Sequence, residues 1–154
     1  MPPKIDRRLA ELGITLTDAP APAANYVPFV ISGNLVFISG QISRDDAGLI
    51  TGQLGGDLDV AAGRAAARTC ALALISQLRV ACGGDLDRLQ RVVKLNGFVN
   101  AAPGFTEHPQ VVNGASDLMV EVFGERGRHA RAAVGSVSLP LGVAVEVEGV
   151  FEIA

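Results

Sequence analysis

Two cysteines, Cys70 and Cys82, are all that 154 residues contain. So few thiols exclude a disulfide framework and a cysteine-based zinc site. Aromatics are scarce as well, with no Trp, one Tyr and six Phe, which leaves little to build a stacking platform for bases. A basic surplus is missing too. Thirteen Lys and Arg stand against 16 Asp and Glu, a net charge of -3, whereas nucleic-acid binders draw most of their affinity from neutralising phosphates. No apolar run reaches the roughly 18 residues of a membrane span. The opening MPPKIDRRLAEL is charged and lacks the apolar core of a signal peptide. The expectation is a cytoplasmic chain with neither nucleic acid nor membrane as partner.

What is present is a globular composition. Apolar residues make up 49% and charged residues 19%, which excludes intrinsic disorder. A chain of this length is one domain, able to bury roughly 70% of its unfolded surface.

Hydrophobic periodicity orders the chain. Ile5, Leu9 and Leu12 share a face of a short helix over residues 4–12, stopped by Gly13. Pro20 and Pro22 make residues 17–25 a loop. Two β-rich runs flank Ser32-Gly33-Asn34 as a hairpin. A Gly- and Asp-rich loop follows over 43–59, with a short strand near Leu49 and Ile50. Residues 59–82 give the strongest helix signal, with Asp59 as cap and Gly83-Gly84 as stop. Its small residues suggest close approach to a neighbouring element. Residues 89–100 read as a strand, 108–123 as a second helix, and 131–138 and 143–153 as two more strands. In the last strand Val145, Val147, Phe151 and Ile153 alternate with Glu146, Glu148, Val150 and Glu152. Period two predicts one buried face and one carboxylate-bearing face.

This order predicts an α+β fold with two helices packed on one face of a mixed sheet. The other face carries Val and Phe among its carboxylates, and such a face marks an association surface. An oligomer is therefore expected.

Elimination narrows the chemistry. His108 and His129 have no zinc-motif spacing. Gly52 to Gly56 lack the pattern of a phosphate loop. Ser39 has no nucleophile elbow, and both cysteines lie in the Ala-rich helix as small hydrophobes. A cation and a carboxylate remain, Arg131 and Glu146, read as lying on neighbouring strands. A guanidinium within Ala130-Arg131-Ala132-Ala133-Val134 needs an anion. That anion is either an internal Glu146 or Glu148, or a carboxylate from outside, which suits the planar fork.

The segment ARAAVGSVSLPLGVAVEVEGVFEIA has the form R-x-x-V, then Leu-Pro, then a Glu-x-Glu strand. It resembles the C-terminal signature of the RidA/YjgF reactive-intermediate deaminase family. Tyr26 to Gln41, with Gly33-Asn34 and Ser39-Gly40-Gln41, resembles that family's N-terminal hairpin. The likeness extends over nearly the whole chain beyond residue 25. It divides the chain into an N-terminal helix and Pro-rich loop, 1–25, and a family-like domain, 26–154.

The resemblance implies a chorismate-mutase-like fold, a homotrimer with an inner barrel, and sites in clefts between subunits. It implies hydrolysis of 2-aminoacrylate-type enamines and imines to 2-keto acids and ammonia, with no metal or organic cofactor. Carried over by position, Arg131 would bind the substrate carboxylate and Glu146 would orient or activate water. Tyr26, Ser39 and Ala133 would line the pocket, and Asn113 would hydrogen-bond there. Water attacking an electrophilic imine carbon needs positioning and one proton acceptor. The loop over 43–59 and the Gly-Glu-Arg-Gly-Arg-His run before Arg131 depart from the family pattern. Two alternatives stay open. One is a non-catalytic binder of small carboxylates, and the other an endoribonuclease or translation inhibitor of the L-PSP type.

Overall fold

The computed structural model describes residues 2–22 and 24–154. Chain order is α1 (Lys4–Glu11), β1 (Phe29–Ser32), β2 (Leu35–Ile42), β3 (Arg44–Asp45), β4 (Gly48–Leu49), α2 (Val60–Ala81), β5 (Leu89–Asn100), α3 (His108–Phe123), β6 (Ala130–Ser136) and β7 (Val145–Ile153). Five strands form one sheet in the order β1-β2-β7-β5-β6, while β3 and β4 make a separate two-residue ladder. All pairs in the large sheet are antiparallel except β5 with β6. That parallel pair needs a crossover, and α3 supplies it.

The expected elements are present, with shifts at their ends. Asp59 caps α2 by accepting from the Ala62 amide. The cap of α1 comes from far along the chain, because both Asp87 carboxylate oxygens accept, at 2.8 Å each, from the amides of Lys4 and Ile5. Leu9 of α1 is buried. The last strand starts at Val145 and not at Val143, because Val143 bridges to Thr51 and the Ala144 amide donates to Ile50 O. Residues 20–22 of the proline segment lie outside any helix or strand; Ala23, within the expected loop, lies outside the described residues.

Helices α2 and α3 lie on one face of the sheet. Ala67, Cys70, Ala71, Leu74 and Leu78 of α2 and Val111, Ala115, Leu118 and Met119 of α3 are all fully buried and belong to one core cluster. The small residues permit close approach: a Cβ at Gly114 would run into the Arg64 carbonyl. Both cysteines are buried and free, and burial pushes the Cys70 thiol far up. In β7 every second residue from Val145 to Ile153 is buried under the helices. The opposite face carries Glu146, Glu148, Val150 and Glu152, flanked by Phe37 at 45%, Val30 at 51% and Val134 at 47% exposure. Among the described residues, no helix is long and apolar enough to cross a membrane.

One expectation is corrected. β6 and β7 are consecutive in sequence but not neighbours in the sheet, because β5 lies between them. β6 pairs in parallel with β5 and holds the edge, so the Leu-Pro connection carries the chain past β5 to reach the centre.

Candidate functional site

Register decides how Arg131 and Glu146 relate. Arg131 is level with Leu95 of β5, and Leu95 with Gly149 of β7. Glu146 is level with Phe98. The two are therefore two strands apart, about 10 Å across the sheet, and offset by three residues, about 10 Å along it. They also face opposite ways. Leu95 and Gly149 belong to the buried, helix-covered rows, whereas Glu146 alternates with the buried residues of β7. Neither an Arg131–Glu146 nor an Arg131–Glu148 salt bridge forms among the described residues. The internal ion pair left open by the sequence is absent, and the singled-out residues fall into two separate candidate half-sites.

The first half-site is built around Arg131, at the sheet edge below α3. Asn113 and Ser116, three residues apart on α3, point the same way. Arg131 Nη1 donates to Asn113 Oδ1 at 2.8 Å and to Ser116 Oγ at 3.2 Å. Ser116 Oγ lies 2.8 Å from His129 Nε2, and His129 Nδ1 lies 2.6 Å from the Gly127 carbonyl oxygen. A carbonyl only accepts, so Nδ1 carries the proton and Nε2 accepts from the Ser116 hydroxyl. The Ser116 lone pair is then left for Arg131, and the whole series of bonds is consistent with a neutral imidazole. Burial lowers the His129 pKa; the bond to Gly127 opposes this, and the Arg131 charge adds to it. Nε and Nη2 of Arg131 have no acceptor among the described residues. Beside this group is a hollow of about 270 Å³ lined by Ser116, Asp117, Val120, Arg128, His129 and Arg131. Ala133, level with Gly97 on the same side of β6, packs against the core.

The second half-site surrounds Glu146. Ile38 pairs with Gly149 and Gln41 with Val147, so Ser39 and Gly40 together face Glu148 in a β-bulge. The bulge makes room for a carboxylate: a Cβ at Gly40 would collide with Glu146 Oε1. Glu146 makes no hydrogen bond or ion pair among the described residues. Burial, and next the neighbouring Glu148 charge, push its pKa up. It lines a cleft of about 630 Å³ that also includes Tyr26, 46% exposed. Ser39 stands beside this cleft and not on its lining. Its hydroxyl donates to Val27 O at 2.7 Å and so secures the segment that carries Tyr26.

Of the residues singled out from sequence, the structure groups Arg131 with Asn113 and Ala133, and Glu146 with Tyr26 and Ser39. It does not bring the two groups together within one chain. Sequence reasoning missed Ser116 and His129. The visible signal was the Asn113–Ser116 helical spacing; nothing in the sequence announces the 2.8 Å Ser116–His129 contact across 13 residues. Arg44, Gln77 and Leu141, on the Glu146 cleft, were missed as well.

Residues 6–152 match the family described as "YjgF/chorismate_mutase-like, putative endoribonuclease". Protein TCP17 of Trypanosoma cruzi is 55% identical over 152 residues, covering 97% of this chain and 94% of that protein. Among solved structures, protein Atu1372 of Agrobacterium tumefaciens, described as of unknown function, is 50% identical with a TM-score of 0.88, covering 97% of this chain and 93% of the other. RidA from a Psychrobacter species is 29% identical with a TM-score of 0.61, covering 88% and 94%. Arg131 and the Glu-x-Glu strand fall inside the matched span, and the chain belongs to the YjgF/chorismate-mutase-like family.

Proposed function

We propose that the protein hydrolyses reactive enamines and imines of small carboxylates to 2-keto acids and ammonia, at a cleft formed where copies of the chain meet. The single observation that carries this reading is the division of the site. A guanidinium with two unengaged nitrogens sits on one face and edge of the sheet. An unengaged carboxyl of raised pKa sits on the other face. Neither half is a complete site, and two copies joined through the half-apolar outer face can supply both halves. A homotrimer closing its sheets into a barrel has this property, because a cyclic assembly repeats one unlike-to-unlike contact.

The chemistry needs little else. Arg131 grips the substrate carboxylate through Nε and Nη2 in a two-point contact, while Asn113 and Ser116 hold Nη1. An enamine first tautomerises to the imine. The water oxygen then bonds to the imine carbon as Glu146 takes a water proton and passes it to the nitrogen, giving the carbinolamine. Glu146 next takes the hydroxyl proton and delivers it to the amino group, so that the C–N bond breaks, the carbonyl forms and ammonia leaves. A carboxyl of raised pKa is a stronger proton acceptor in its ionised form than an ordinary one. Tyr26 borders the same cleft.

The test is ammonia release from freshly generated 2-iminopropionate. The wild type should accelerate it over buffer, and Arg131→Ala should lose most of that acceleration, roughly 100-fold or more for a lost charged, two-point anchor. No acceleration by the wild type rejects the reading. A binder that does not turn over would instead show 2-oxo acids raising the melting temperature in the absence of catalysis.

A further inference from the structure

In a single copy, before a second one closes it, the Glu146 cleft is much larger than a three-carbon acid needs. Its volume of about 630 Å³ falls within the roughly 300–1,000 Å³ of pockets that hold drug-sized ligands. One wall is the proline segment, including Pro20 and Pro22. This wall is seated on α2: the buried Gln77 donates through Nε2 to Pro20 O at 2.7 Å. Opposite chemistry is present too, because Arg44 lines the cleft and its guanidinium has no acceptor among the described residues. That cation makes the space hospitable to an anion despite Glu146.

Leu141 adds an independent observation. It lines the same cleft and is 65% exposed in a single copy. Its backbone is left-handed, with φ 58° and ψ 15°, and it is the only non-glycine residue with positive φ among those described. Glycine or asparagine occupies that region at little cost, whereas leucine is disfavoured there. Burial in the core does not compensate, since Leu141 is not part of the core cluster. A strained, exposed leucine at the edge of a cleft calls for a reason outside the stability of the fold.

We infer that the cleft selects 2-imino and 2-oxo carboxylates bearing a large apolar side chain, branched or aromatic, and that Leu141 and the Pro20–Pro22 wall are the surfaces that contact this side chain. Burying such a group against them is favourable in proportion to its area, and a methyl group forfeits most of that gain. The inference rests on the deaminase reading for its ligand class, but its readout is binding and not turnover.

The experiment measures calorimetric binding of pyruvate, 4-methyl-2-oxopentanoate and phenylpyruvate to the full chain. The wild type should bind the two larger acids at least about tenfold more tightly than pyruvate, the discrimination that one or more buried methylenes supply. Leu141→Asn keeps side-chain size and relieves the backbone. It should erase most of this gap and leave pyruvate affinity, oligomer size and melting temperature unchanged, or raise the last. Ala21→Asp, which places a charge on the exposed wall, should narrow the gap in the same way. The inference is overturned by equal affinities for the three acids, by binding of none, or by a gap that survives both substitutions. A change of oligomer size in Leu141→Asn overturns it too, since the leucine would then be an interface residue. Selective binding without ammonia release from any imine would remove the reaction and leave this selectivity standing. Ammonia release without selectivity would do the reverse.

Discussion

The two half-sites are built in different ways. Around Arg131, helix α3 supplies both direct partners, the turn between α3 and β6 adds His129 and the Gly127 carbonyl, and each hydrogen bond from Arg131 Nη1 to that carbonyl fixes the next. Around Glu146, the walls come from a β-bulge, a proline segment and a turn with a left-handed leucine, and the carboxyl itself is held by no hydrogen bond among the described residues. The first arrangement suits the feature every proposed substrate shares, the carboxylate, because a side chain locked by hydrogen bonds to a helix holds geometry best. The second suits what differs between substrates and a water that must move. Loops adapt by substitution more readily than the elements they connect.

That contrast predicts unequal responses to substitution. Gly40→Ala should have the largest effect after loss of Arg131 or Glu146 themselves. The added Cβ meets Glu146 Oε1, so the carboxyl must swing away. Imine hydrolysis should fall about 10- to 100-fold through kcat, the cost of losing a positioned base, with KM little changed. An unchanged kcat would show that Glu146 is not held where the reaction needs it.

The pH response comes next. In the proposed reaction Glu146 is the base when ionised, so the rate should fall as pH drops through its raised pKa, on an acid limb above the ordinary carboxylate value. Glu148→Gln removes the second cause of that shift and should move the limb to lower pH. Stability follows the same sign. A carboxyl with a folded pKa above its unfolded one makes the native state bind more protons, so it costs stability as pH rises through the interval between the two values. Glu146→Gln should therefore melt at or slightly above the wild-type temperature at neutral pH, with the difference vanishing below the unfolded carboxylate pKa. A lower melting temperature at neutral pH would mean that the carboxylate has a stabilising partner.

The smallest effect belongs to Ser116→Ala. Arg131 keeps Asn113 and loses one of its two acceptors, while His129 Nε2 loses its donor. Carboxylate affinity should drop about 3- to 10-fold, the worth of one ordinary hydrogen bond, with kcat preserved. A drop in kcat at constant KM would place Ser116 nearer the reacting atoms than this geometry does.

Most of the fold was legible in the sequence because its signals are local. Asp59 before an Ala-rich run, a strict alternation after Val143 and glycines beyond each helix report on neighbouring residues, and the elements formed there. Strand order is not local. β6 and β7 read as a neighbouring pair, yet the crossover through α3 places β6 beside β5, and no residue near Pro140 carries that information. The site was legible in the same proportion. Arg131 stood out because a guanidinium amid alanines is anomalous, and Glu146 because a family pattern points to it. Ser116, His129, Arg44 and Leu141 are ordinary residues in sequence and acquire meaning only through contacts across many positions.

The claim that everything else depends on is that Arg131 of one copy serves Glu146 of another. Co-expressing Arg131→Ala with Glu146→Gln tests it most directly, because each variant alone lacks one half of every site. Random mixing in a cyclic assembly should restore about a quarter of the sites, those drawing the arginine from one variant and the carboxylate from the other. Ammonia release should return to about that fraction of the wild-type rate in the mixed oligomer, with both pure variants inactive. Mixed oligomers no more active than the pure variants would contradict it.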